Sequence, residues 1–262
     1  MAQGTWVSAG AGLPDAALRL FCFPHAGGGA GFFRPWRAAL GSDVEVCSVV
    51  LPGREARLRE TPYRSMTEML PPLTDAIAEW ADRPYAILGH STGAAVGYEV
   101  ARRLAAHPVG PPRALLVSGR RSPYSPPAGP PRHLLPQREF LQAVFDLGGT
   151  PPELLGQPEL LELFLPALRG DFALNETYRP LPGGPLDCPV TAFTGQHDPE
   201  VTPEQMTEWR RVSTGPFGLR VFRGGHFYLD GAPGDVAAAV KEELDRALWG
   251  TRPAPLDLKG AY

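Results

Sequence analysis

Three cysteines, two lysines and no long apolar run set the first limits on this 262-residue chain. Cys22, Cys47 and Cys188 are odd in number and far apart, a pattern that fits buried reduced thiols better than a disulfide frame or a metal cluster. No cofactor and no metal are expected. No apolar run reaches the roughly 18 to 20 residues that a membrane span needs, and Met1-Ala2-Gln3-Gly4-Thr5-Trp6 lacks a basic segment followed by an apolar stretch. The expectation is a soluble, cytoplasmic protein with no membrane partner. A formal net charge of -3 supplies no field that would draw in nucleic acid. Lysine occurs only at Lys241 and Lys259, and no function is read from that scarcity.

What is present is apolar residue in quantity, 43% against 20% charged, enough to fill the core of one domain. Short apolar runs bounded by Pro and Gly alternate with longer amphipathic segments, as in parallel strands joined by crossover helices. Strands are predicted at Leu18–Phe23, Val44–Leu51, Tyr85–Leu88, Ala114–Val117, Val190–Thr194 and Leu219–Phe222, and helices at Met66–Ala81, Thr92–Ala105, Pro203–Arg211 and Asp235–Trp249. The expected fold class is α/β, a mostly parallel, doubly wound sheet. Between Arg120 and Leu186 the alternation stops. A Pro-rich stretch, Ser122 to Pro136, leads into helical patterns at Gln137–Leu147 and Pro158–Asn175. The apolar residues of this block, including Phe140, Val144, Leu154, Leu155, Phe164 and Leu168, exceed what a surface excursion carries. This block is either additional core or a helical lid over a binding chamber. The organisation expected is one domain, 1–262, with an insertion at 120–186 and a loosely docked tail from Thr251 to Tyr262.

The chemistry is concentrated in Gly89-His90-Ser91-Thr92-Gly93, which follows the apolar Tyr85–Leu88 and precedes a helical pattern. A serine held on a sharp strand-to-helix turn between two glycines reads as a nucleophile elbow. Serine needs a base and an acid to orient that base. Asp198, in Gly195-Gln196-His197-Asp198-Pro199, follows one predicted strand, and His226, in Arg223-Gly224-Gly225-His226-Phe227, follows the last. Active sites of open α/β sheets form at this carboxyl edge, and the order nucleophile, acid, histidine is that of α/β-hydrolases. His197 is the rival base, but it adjoins Asp198 in sequence, and adjacent side chains diverge. Pro24-His25-Ala26-Gly27-Gly28-Gly29-Ala30-Gly31 follows the first strong strand and could bare backbone N–H groups. Ala26 N–H from this loop and Thr92 N–H after the nucleophile would form an oxyanion hole. A phosphate loop is the alternative, but the run lacks the lysine and hydroxyl of G-x-x-x-x-G-K-[ST] and the spacing of G-x-G-x-x-G.

Phe23-Pro24-His25-Ala26-Gly27-Gly28, Leu51-Pro52-Gly53-Arg54-Glu55, Gly89-His90-Ser91, Ser118-Gly119-Arg120-Arg121-Ser122-Pro123, Leu168-Arg169-Gly170-Asp171-Phe172 with Glu176-Thr177-Tyr178, and Gly224-Gly225-His226-Phe227 run nearly end to end. Together they resemble the signatures of the discrete type II thioesterases that accompany polyketide synthases and nonribosomal peptide synthetases. The resemblance implies a helical lid, catalytic Ser91, Asp198 and His226, an oxyanion hole from Ala26 and Thr92, and acyl groups borne on the phosphopantetheine arm of an acyl or peptidyl carrier protein. It further implies an editing role, the removal of short or aberrant acyl groups. Thr92 departs from the pattern, in which methionine follows the nucleophile; because the donor there is a backbone N–H, activity should survive, while the polar β-branched side chain leaves the acyl preference open. Arg54, Arg120 and Arg121 could meet an acidic carrier domain or serve internal ion pairs. The same constellation would suit a stand-alone carboxylesterase, a lipase or an acyltransferase on small substrates, and a catalytically idle docking module is a further alternative.

Overall fold

The structure, a computed structural model, describes residues 6–126, 129–148 and 158–250. Leu154, Leu155 and the tail from Thr251 lie outside the described residues. Strands β1 (Val7–Ser8), β2 (Leu18–Phe23), β3 (Val44–Val49), β4 (Tyr85–His90), β5 (Leu115–Ser118), β6 (Val190–Gly195) and β7 (Phe217–Phe222) form a single sheet in the order β1-β3-β2-β4-β5-β6-β7. All neighbours pair in parallel except β1, which runs antiparallel to β3 through Val7↔Val49 and Ser8↔Ser48. This two-residue strand was not legible in the sequence, being too short to show a period.

The parallel strands are apolar on both faces because helices cover both. In β2, Phe21 and Phe23 enter one core while Leu18, Leu20 and Cys22 enter the other. The first core receives α2 (Met66–Trp80) and α3 (Thr92–Ala105), through Met69, Leu73, Ile77 and Leu104. The second receives α1 (Arg34–Leu40) and α7 (Gly234–Trp249), through Trp36, Leu40, Val240 and Leu244. The sheet is therefore doubly wound, as predicted. Cys22, Cys47 and Cys188 are free and buried.

Between β5 and β6 lie α4 (Gln137–Asp146) and α5 (Pro158–Thr177), and among the described residues no strand interrupts them. They build a third, smaller cluster from Phe140, Val144 and Phe172, with Ala26, Leu135, Leu147, Leu165 and Leu168 packed around it. The stretch predicted as one helix from Pro203 to Arg211 is divided. A capping box at Thr202 and Gln205 starts α6 (Pro203–Met206), and a 3₁₀ segment, Thr207–Val212, then tightens the chain and carries Trp209 fully into the first core. No described helix is long and apolar enough to cross a membrane.

Candidate active site

Ser91 joins β4 to α3 with φ 54° and ψ -123°, a backbone state that a residue with a Cβ holds only when its surroundings impose it. Two glycines make room for the turn. A Cβ on Gly89 would collide with the carbonyl of Gly93, and one on Gly93 with the carbonyl of Phe23. The turn is anchored to β5 by Ser91 N–H donating to the Ser118 carbonyl at 2.8 Å.

Asp198 follows β6 by three residues and His226 follows β7 by four, so both stand with Ser91 at the carboxyl edge of the sheet. Nδ1 of His226 lies 3.0 and 2.9 Å from Oδ1 and Oδ2 of Asp198, and both side chains are buried. With Nδ1–H committed to the carboxylate, Nε2 is the basic nitrogen. Ser91, Thr92, Ala26 and His226 line one cavity of about 250 Å³. The Ser91 hydroxyl is not hydrogen-bonded to His226 among the described residues, a contact that commonly tightens only in the substrate complex. His197, the rival base, is exposed and its ring meets the Gln196 amide at 2.8 Å instead.

Thr92 is the first residue of α3, so its N–H has no acceptor within the helix. In the loop after β2, Gly27 N–H donates to Asp171 Oδ2 at 2.7 Å and Gly28 N–H to the His25 carbonyl at 3.0 Å. Ala26 lines the cavity, and among the described residues its N–H donates to no backbone carbonyl outside the regular elements. The loop is held by an ion pair whose acidic partner was not foreseen in the sequence. Arg54 is buried and bidentate to Asp171 of α5, at 2.7 and 2.8 Å, while its Nη1 also donates to the Gly28 carbonyl at 2.9 Å. Arg54 therefore serves an internal ion pair and does not face a partner. Arg120 is also turned inward: its Nε donates to Asn175 at 2.9 Å, its guanidinium sits 5.3 Å from the Tyr178 ring, and burial lowers its pKa to about 10.

Two further imidazoles underlie the site. His90 is fully buried, with Nδ1 3.0 Å from Ser118 Oγ and its ring centroid 4.9 Å from that of His226. His25 lines the cavity and packs edge-on against Phe32 and Phe227. Burial, reinforced by the positive charge that His226 can carry, lowers His25 to about 3 and holds His90 well below its ordinary value. Both are neutral rings at physiological pH. α4 and α5 supply an apolar stretch of the cavity wall, through Leu141, Val144, Leu165, Leu168 and Phe172. At its rim Glu200 pairs with Arg132, at 2.8 and 3.1 Å. Burial acts to raise the Glu200 carboxyl, but the Arg132 guanidinium outweighs it and keeps the group below the usual carboxylate range.

A sheet of this order, with a serine on a strained strand-to-helix turn after β4 and an Asp–His pair beyond the ends of β6 and β7, is that of the α/β-hydrolase class. The thioesterase domain profile matches residues 18–244, from the start of β2 into α7. The chain belongs to the thioesterase domain family and is an enzyme of that kind. It is 40% identical to the thioesterase PikA5 of Streptomyces venezuelae over 256 residues, 97% of this chain and 89% of that protein. Among solved structures it is similar to RedJ, a thioesterase from the prodiginine biosynthetic pathway in Streptomyces coelicolor, with TM-score 0.81, 40% identity and coverage of 87% of this chain and 86% of that one. It is also similar to BorB, the type II thioesterase from the borrelidin biosynthetic cluster, with TM-score 0.81, 36% identity and coverage of 95% and 99%.

Proposed function

We propose that the chain is an editing thioesterase that removes short or aberrant acyl groups from the phosphopantetheine arm of acyl or peptidyl carrier proteins in polyketide or nonribosomal peptide assembly. The observation that carries this reading is the buried Asp198–His226 pair, whose histidine lines, with Ser91, one chamber that α4 and α5 wall with apolar side chains. Residues 120–186 act as a helical lid on a single hydrolase domain. The relatives' biosynthetic settings support the carrier-bound substrate, and the apolar chamber suits the acyl chain.

In the mechanism, His226 Nε2 takes the Ser91 proton as Oγ attacks the thioester carbonyl. The developing oxyanion is met by the N–H groups of Ala26 and Thr92, each donor of this kind being worth roughly 3 to 4 kcal/mol in the transition state. The C–S bond then breaks, and His226 returns the proton to the departing pantetheine thiolate. Asp198 holds the imidazole in its tautomer and offsets its charge. Water, activated by the same nitrogen, attacks the Ser91 acyl ester; the acyl C–Oγ bond breaks, His226 returns the proton to Ser91 Oγ, and the free acid leaves. The reaction requires no cofactor. Neither a membrane nor nucleic acid takes part, and the place of action is the cytoplasm.

The test is mass spectrometry of carrier proteins loaded with acetyl, propionyl, malonyl and longer groups, before and after exposure to the enzyme, alongside turnover of p-nitrophenyl esters. Loss of acyl mass from the carriers at rates well above ester turnover is expected. Efficient ester cleavage with carriers left loaded would assign the chain instead to small-ester hydrolysis.

A further inference from the structure

We propose that Glu200, together with the two arginines that grip it, Arg121 and Arg132, forms a positioning clamp that ties the Asp198–His226 geometry to the roof of the cavity. Apart from His226, the Asp198 carboxylate receives one hydrogen bond among the described residues, from Glu200 N–H to Oδ1 at 2.9 Å. Glu200 is in turn held at both ends. Arg121 Nε donates to its carbonyl at 3.2 Å, and Arg132 is bidentate to its carboxylate.

Both arginines belong to the connection between β5 and α4, and that connection is pinned to α5. Glu176 accepts Arg132 N–H and His133 N–H, each at 2.9 Å, and meets His133 Nδ1 at 2.6 Å. Arg169 of α5 donates to the His133 and Leu135 carbonyls at 2.6 and 2.9 Å. An unbroken line of bonds thus runs from α5, which walls the cavity, through Arg132 and Glu200 to Asp198 and His226. Arg132 and Glu200 themselves line the cavity, so a substrate that displaces the roof also loosens the residue that orients the acid. The Arg132–Glu200 pair is partly exposed, at 33% and 24% of the side chains. Pairs so placed add little to global stability, so the clamp serves orientation.

The inference rests on the roles assigned to Asp198 and His226 above, and the experiment separates the two. Steady-state hydrolysis of an acyl-loaded carrier protein is measured for wild type, Arg132→Ala, Arg132→Lys, Glu200→Gln and the Arg132→Ala/Glu200→Gln double variant, with Tm for each and the rate of Ser91 labelling by a small fluorophosphonate. The clamp predicts a fall in kcat on the order of tenfold for Arg132→Ala and for Glu200→Gln, less than the roughly 10²-fold that a misplacement of about 1 Å can cost, because the His226–Asp198 bonds remain. It further predicts little change in KM or Tm, slower labelling of Ser91, no additional loss in the double variant and partial recovery in Arg132→Lys. A rise in KM alone, an additive loss in the double variant, or unchanged kcat with normal labelling would overturn the clamp and leave the function above standing. A wild-type protein that neither labels nor unloads carriers would overturn that function, and the clamp with it.

Discussion

At the scale of single residues, the proposed mechanism separates side chains that act from those that only shape. Ser91→Ala is expected to lower kcat on the order of 10⁶, and Asp198→Asn roughly 10⁴, because nucleophile, base and orienting acid act as one unit. Single-turnover release of acyl groups from a loaded carrier protein measures both. Under the proposed mechanism, position 92 contributes through its backbone. Thr92→Met keeps the amide and replaces a buried polar side chain in the cavity wall. Its kcat on the preferred substrate should stay within several-fold of wild type while the ranking of acyl groups changes. A collapse of kcat across every acyl group would show that the threonine side chain does more than line the chamber.

At the scale of elements, the dependence of the donor loop on α5 is the sharpest feature. Asp171 is the carboxylate on which both Gly27 N–H and the Arg54 guanidinium converge. Asp171→Ala strands a buried guanidinium, and breaking a buried pair from one side costs about 3 to 5 kcal/mol. The expected result is a lower urea midpoint together with loss of kcat, since the loop that presents Ala26 loses its tie. Much at this scale was legible in the sequence. β2 to β7 announced themselves as apolar runs between Pro and Gly, and Ser91, Asp198, His226, Ala26 and Thr92 were visible because each stands next to a strand end. The residues that hold these were not. Arg54 and Asp171 are 117 residues apart, and Arg132 and Glu200 are 68 apart. A bidentate pair leaves no local period by which to find its partner. The motif around Leu168 to Tyr178 was visible as a pattern, but only the structure shows that Asp171 secures the loop after β2 while Arg169 and Glu176 both secure the connection between β5 and α4.

At the scale of the whole molecule, stability carries a pH signature from the neutral imidazoles. His25 stays unprotonated in the folded protein down to about 3 and His90 is held well below its ordinary value of 6.5, in both cases chiefly by burial. An unfolded chain takes up protons on both rings as the pH drops through 6.5. The unfolded state then binds more protons, so stability declines as pH falls below about 6.5, by up to roughly 1.4 kcal/mol per unit for each ring. Glu45 behaves differently. Burial alone would raise it, but Arg19 holds it below its ordinary 4.5, so its contribution is lost only on further acidification. Thermal melts between pH 7.5 and 5 isolate the histidines, and a flat Tm across that window would contradict their neutrality.

The three apolar clusters also differ in how firmly they are bound into the molecule. Two sandwich the sheet and draw on most of the chain, whereas the third, around Phe140, Val144 and Phe172, is assembled by α4 and α5 with little help from the strands. Regions with few buried apolar contacts open before the rest. On warming, the enzyme should therefore fall silent while its sheet is still intact: turnover should vanish several degrees below the loss of far-ultraviolet ellipticity, and return on cooling.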